Sequence, residues 1–178
     1  MLDLSLFESD ELLALAKLDV EKNRIDSALA KLKQANNLPD PQPECDSLLA
    51  KLYAQLNLFD RASYHYESYL MKQPDALLER FQYGMVYYEQ GIKDRALLVW
   101  KEVLDEVPTF PPALYYCALV SWEDSDESEA RRLIDILLKS APADNLYFKR
   151  SKDLLNALDS NANSGSVAAP RFDSQKIN

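Results

Sequence analysis

Residues 83–108 read YGMVYYEQGIKDRALLVWKEVLDEVP, and their spacing decides the fold. Ala96 lies 12 residues after Gly84 and 12 before Pro108, with Trp100 four beyond the alanine. At steps of 34 residues, Ala28, Ala62 and Ala130 share the register of Ala96, while Ala16, Ala50 and Ala118 share that of Gly84. Pro74 and Pro142 repeat Pro108. A unit of this length cannot bury its own apolar face. Copies must therefore stack into a solenoid with a continuous core.

Each unit reads as a helix hairpin. The small residues at two positions let two helix backbones approach closely. Bulky residues fill the neighbouring layers: Leu15, Leu49, Tyr83 and Cys117 on the first helix; Leu32, Tyr66, Trp100 and Ile134 on the second. Ala35, Tyr69, Val103 and Leu137 complete an i, i+4, i+7 stripe. Asn23, Asn57, Gly91 and Ser125 mark the turn, the first three being types that tolerate a left-handed C-terminal cap. Asp26, Asp60, Asp94 and Ser128 then mark the start of the second helix, by capping or by favouring its positive end.

These residues resemble the tetratricopeptide repeat, whose 34-residue pattern joins a small residue, a tyrosine, an alanine, a bulky residue and a closing proline. The third unit carries Tyr83, Gly84, Tyr87, Ala96, Trp100 and Pro108; the second carries Leu49, Ala50, Tyr53, Ala62, Tyr66 and Pro74. The outer units depart from it, with Asp19 and Ser121 at the tyrosine position. The resemblance implies an all-α, right-handed solenoid of about four hairpins over residues 1–158. Its units fall near 9–42, 43–76, 77–110 and 111–144, with a capping helix near 145–158. Residues 159–178, rich in Ser, Asn, Gly and Ala, read as a disordered tail. At the other end, Ser5 and Glu8 have capping-box spacing, which predicts a helix from about Leu6. Leu2, Leu4, Leu6 and Phe7 are expected to cover the first repeat.

Composition narrows the function. A formal charge of −9, from 29 acidic and 20 basic residues, opposes the counterion release on which nucleic-acid binding depends. The chain offers no signal-peptide pattern and no apolar run of about 18 residues, so neither export nor membrane insertion is expected. With two distant cysteines, Cys45 and Cys117, a cytoplasmic setting is the expectation.

Catalytic and metal-binding patterns are missing. His65 is the single histidine, and neither a Cys-x-x-Cys motif nor a phosphate-cradling glycine loop occurs. No cofactor, metal or catalytic residue is expected. His65 is expected on a helix surface.

Function then rests on the inner face, which the resemblance assigns mainly to the first helix of each pair. Its candidates are Leu78, Phe81, Met85, Tyr88 and Glu89 in the third unit and Tyr115, Leu119 and Trp122 in the fourth. Lys17 and Lys51 occupy the same face of the first two units. Such a groove would hold a partner peptide or helix, anchored by Phe81, Tyr88, Tyr115 and Trp122. In the alternative, a C-terminal helix covers the aromatics. A subgroup of these domains grips the carboxylate tails of heat-shock chaperones. Leu13, Leu48, Leu78 and Arg80 do not supply its polar constellation, so that ligand is not expected. The chain is similar in size, charge and repeat architecture to bacterial secretion chaperones for translocator proteins. A homodimer or larger assembly using the apolar stripe is the competing expectation.

Overall fold

The computed structural model of the chain describes residues 3–164, with the backbone alone for 161–164. Among them lie nine α-helices and no strand. A 3-10 turn at Leu4–Leu6 precedes α1 (Ser9–Glu21) and α2 (Ile25–Asn36). Then come α3 (Glu44–Gln55), α4 (Phe59–Lys72), α5 (Leu77–Glu89), α6 (Lys93–Glu106), α7 (Pro111–Glu123), α8 (Glu127–Ser140) and α9 (Leu146–Ser164). The chain divides into two compact units, residues 1–99 and 100–178, with the boundary inside α6.

The same turn joins the two helices of each hairpin. Asn23, Asn57, Gly91 and Ser125 all have positive φ, between 54° and 76°. In each case the next residue's N–H reaches the carbonyl five positions back: Arg24 to Asp19 (2.8 Å), Leu58 to Tyr53 (2.9 Å), Ile92 to Tyr87 (2.9 Å) and Asp126 to Ser121 (2.8 Å). This left-handed cap satisfies carbonyls that the ending helix would leave orphaned. Ser125 adopts it as well, although serine was not among the types expected to.

The helix starts differ from expectation. Asp26, Asp60 and Asp94 stand inside the first turn rather than at the cap. They act there through the helix dipole. At α8 the cap is Asp126, which accepts the Glu129 N–H at 3.0 Å. At the N-terminus Glu8 precedes the helix, its N–H donating to the Glu11 carboxylate at 2.9 Å, so α1 begins at Ser9 and not near Leu6. Leu4 and Phe7 pack on the first unit's core, whereas Leu6 is 79% exposed and Leu2 lies outside the described residues.

The small-residue register is buried throughout. Ala28, Ala62, Ala96 and Ala130 are fully buried, as are Ala16, Ala50 and Ala118, and Gly84 is buried in the same position. Around them the first unit buries Leu12, Leu32, Leu49 and Tyr66. The second unit buries Trp100, Val103, Ile134 and Leu137, with Trp100 against Tyr116 at 5.4 Å between ring centroids. Tyr83 and Tyr87, expected in the core, are half-buried; their hydroxyls bond each other at 2.6 Å, and Tyr83 also donates to Glu67.

Helix α7 is apolar from Pro111 to Val120 and is buried continuously from Ala113 to Val120. A helix apolar on every side is stable only when covered on every side. Within the second unit α8 and α9 both pack on it. Residues 159–164, expected to belong to a disordered tail, continue α9; the rest of that segment lies outside the described residues.

Trp100→Ala should leave a cavity and lower the unfolding free energy by about 3–5 kcal/mol, and Ala96→Leu should overpack at a cost of about 1–3 kcal/mol. Guanidinium titrations followed by far-UV circular dichroism measure both.

Candidate functional site

The first helices of the hairpins place the sequence-selected residues very differently in the two units. In the first unit Lys17 on α1 and Lys51 on α3 are exposed and occupy equivalent repeat positions. On α5, Leu78 is 55% exposed, Glu89 is exposed and Tyr88 is half-buried. Ser47 of α3 reaches the Glu79 carboxylate of α5 at 3.4 Å, which ties these two helices side by side. Toward α1, the buried Ser9 accepts the Gln42 N–H at 3.0 Å and lies 4.0 Å from the Cys45 sulfur.

Five of the selected residues are not on an open surface. Phe81 (1% exposed), Met85, Tyr115, Leu119 and Trp122 (6%) are all buried, so the aromatic stripe is core and not groove. Withdrawing such large apolar side chains from water is favourable by about 1.5–3 kcal/mol each, and the fold takes that gain. In the second unit the covering element is visible. Tyr147 of α9 lies 5.7 Å from Tyr115 and 6.3 Å from Tyr116. Sequence reasoning held this arrangement as the alternative to an open groove.

Two carboxylates are buried against expectation, although Asp19 stands out in the sequence as a departure at the repeat's tyrosine position. Asp46, 1% exposed, accepts from His65 Nδ1 (2.8 Å), Ser68 Oγ (2.7 Å), Lys72 Nζ (2.9 Å) and Asn36 Nδ2 (3.2 Å). One side chain thus gathers donors from α2 and α4 onto α3. Burial raises its pKa, but the bonds from His65, Lys72 and Ser68 outweigh that and hold the carboxyl well below its usual range. Asp19, 3% exposed, occupies the repeat's tyrosine position. It accepts from Lys31 (2.5 Å) and Ser27 (2.6 Å) and pairs with Arg24 (2.5 Å). The Lys31 and Ser27 bonds, working against burial, lower its pKa to about 2. The sequence did carry a signal: an acid at an apolar repeat position, with a lysine 12 residues on.

His65 is accordingly not on a helix surface. Its side chain is 13% exposed, stacked on Tyr53 at 5.6 Å, with Nδ1 turned to Asp46. Cys45 precedes Asp46 but contacts Ser9, so no thiol and imidazole face each other. Burial raises the Cys45 thiol pKa and pushes that of Cys117 up to about 12. Neither is an activated nucleophile. Among the described residues no group of three His, Cys, Asp or Glu side chains is placed to hold a metal, and no helix is long and apolar enough to cross a membrane.

Helix hairpins on a 34-residue period, with a left-handed turn and small residues at the helix contact, define the tetratricopeptide-repeat fold. The solved structures agree. MamA from Desulfovibrio magneticus RS-1 matches with a TM-score of 0.70 at 18% identity, over 88% of this chain and 89% of that one. A tetratricopeptide repeat protein from Parabacteroides merdae matches with 0.75 at 20% identity, over 87% of this chain and 61% of that one. YrrB, described as a TPR protein with an unusual peptide-binding site, matches with 0.66 at 18% identity, over 77% and 71%. No family model and no curated protein matches the chain. At these identities the likeness is one of fold.

Both aspartates titrate lower in the folded chain than their ordinary value of 3.8. The stability they confer is therefore complete above about pH 5, declines as the pH falls through 3.8 and is lost progressively below it. Guanidinium midpoints should drop across that window, and Asp19→Asn and Asp46→Asn should flatten the drop. Asp46→Ala strands the donors of His65 and Ser68 and should cost on the order of 3 kcal/mol at pH 7. Thiol titration with a disulfide reagent should find neither cysteine in the native chain and both in guanidinium.

Proposed function

We propose that the repeats over residues 1–158 form a non-enzymatic interaction scaffold that holds a peptide or helix of another protein, in the cytoplasm, without cofactor or nucleic acid. The observation that carries this reading is the exposed row on the first unit. Lys17 and Lys51 project from equivalent positions of consecutive hairpins; on α5 that position is the buried Met85, and Leu78 and Glu89 are the exposed residues there, with Tyr88 half-buried. A cation kept in water at the same position of α1 and α3 suits an extended partner with two acceptors one repeat apart, and Leu78 of α5 offers an exposed apolar contact.

Peptide binding by the fold of YrrB supports the reading. Phe81, Met85, Tyr115, Leu119 and Trp122 serve this scaffold as packing, and contact with the partner falls to Lys17, Lys51, Leu78, Tyr88 and Glu89.

Affinity capture with the full chain should retain a partner that a Lys17→Glu, Lys51→Glu, Leu78→Asp variant loses, with affinity reduced roughly tenfold or more. Circular dichroism should be unchanged, since all three side chains are exposed. Identical captures would overturn the assignment. A concentration-dependent dimer broken by the same three changes would identify the partner as a second copy.

A further inference from the structure

On α5, Tyr83 and Tyr87 stand four residues apart and so on one face of the helix. Their hydroxyls bond at 2.6 Å, their ring centroids lie 4.9 Å apart and their planes are inclined at 51°. Tyr83 also donates to the Glu67 carboxylate of α4, so the bond between the hydroxyls runs from Tyr87 to Tyr83. Glu67 is exposed and both rings are half-buried, which leaves this corner of the first unit open to water and small oxidants.

The repeat does not require the arrangement. Leu15, Leu49 and Cys117 hold the position of Tyr83 in the other units, and Asp19, Tyr53 and Ser121 that of Tyr87, so the third unit alone pairs two tyrosines there. In a phenol the ortho carbon adjoins the carbon that bears the hydroxyl, and a phenoxyl radical carries much of its unpaired spin at that ortho carbon. Rings whose hydroxyls touch therefore also bring two ortho carbons together. In an o,o′-dityrosine the hydroxyls likewise sit side by side across a twisted bond. Tyr66 and Tyr83, Tyr115 and Tyr147, and Tyr116 and Tyr147 are farther apart, with centroids at 6.2, 5.7 and 6.3 Å.

We propose that Tyr83 and Tyr87 form an oxidative modification site, at which a peroxide acting through a one-electron peroxidase joins the rings as o,o′-dityrosine, with Glu67 taking the Tyr83 proton. Oxidation of Tyr83 sends an electron to the oxidant and the phenolic proton to Glu67. Oxidation of Tyr87 sends a second electron to the oxidant and a proton to water. The two phenoxyl radicals couple through one new bond between ortho carbons, and the hydrogens on those carbons move to the oxygens, restoring both phenols. Each link thus removes two electrons and two protons, which reduce one hydrogen peroxide to two waters. Burial and the bond to Glu67 push the Tyr83 pKa up, so its ring is protonated at neutral pH and the carboxylate serves as the acceptor. The link spans one turn of α5 and does not rest on the partner-binding reading.

Treatment of the full chain with hydrogen peroxide and a haem peroxidase tests it. Dityrosine fluorescence should appear within single chains on denaturing gels. The tryptic peptide 81–93, which holds both rings, should lose the mass of two hydrogens and show no fragment ions from cleavage between residues 83 and 87. Tyr87→Phe should lower the dityrosine yield in that peptide at least about tenfold by removing a pre-oriented partner. Glu67→Gln, which keeps Tyr83 and Tyr87, should slow the link at least about tenfold. Circular dichroism of both variants should match that of the unchanged chain. An undiminished yield in Tyr87→Phe, an unslowed link in Glu67→Gln, dityrosine confined to other peptides or to pairs of chains, or none after the peroxide is consumed would overturn the proposal.

Discussion

Close approach of two helix backbones at a small residue is the constraint on which this structure depends. Ala16 with Ala28, Ala50 with Ala62, and Ala118 with Ala130 recur at one spacing, and every one is fully buried. A larger side chain at any of these points would push the hairpin apart and open the layers that Leu32, Tyr66, Trp100 and Ile134 fill. The left-handed turn at Asn23, Asn57, Gly91 and Ser125 serves the same end, because it reverses the chain tightly enough for the small residues to meet. Periodicity in this chain is the trace of a recurring packing requirement.

Within that frame the units solve the problem of covering themselves differently. The first unit places Leu4 and Phe7 on its core and keeps lysines on the exposed faces of α1 and α3. It also tolerates two buried aspartates, each neutralised by cations from a following helix. A buried carboxylate left alone would cost several kcal/mol, so Asp19 and Asp46 fix the placement of Lys31, His65, Ser68 and Lys72 as firmly as a leucine fixes its neighbours. The second unit is built around α7, an apolar helix that requires cover on all sides and receives part of it from α9.

The hairpins, their turns and their small-residue contacts were legible in the sequence because they repeat, and repetition separates a structural requirement from chance. Burial of the aromatic stripe was not. Phe81, Tyr115 and Trp122 have the spacing of a helix face, but spacing does not say whether that face meets water or another helix. For Tyr115 the decision lay with Tyr147, a residue outside the four repeats. The Asp46 cluster was hidden for a related reason: its five members come from three helices, at separations that make sense only after the helices are packed. Lys17, Lys51 and Glu89 are exposed, as the cost of burying a lone charge requires, whereas the exposure of Leu78 does not follow from its residue type.

The location of the partner-binding face is tested most directly by lysine acetylation footprinting of the full chain, free and saturated with a captured partner. Protection of Lys17 and Lys51 with unchanged labelling at Lys139 and Lys152 is the expected result. Protection confined to Lys139 and Lys152, with Lys17 and Lys51 labelled as in the free chain, would contradict it.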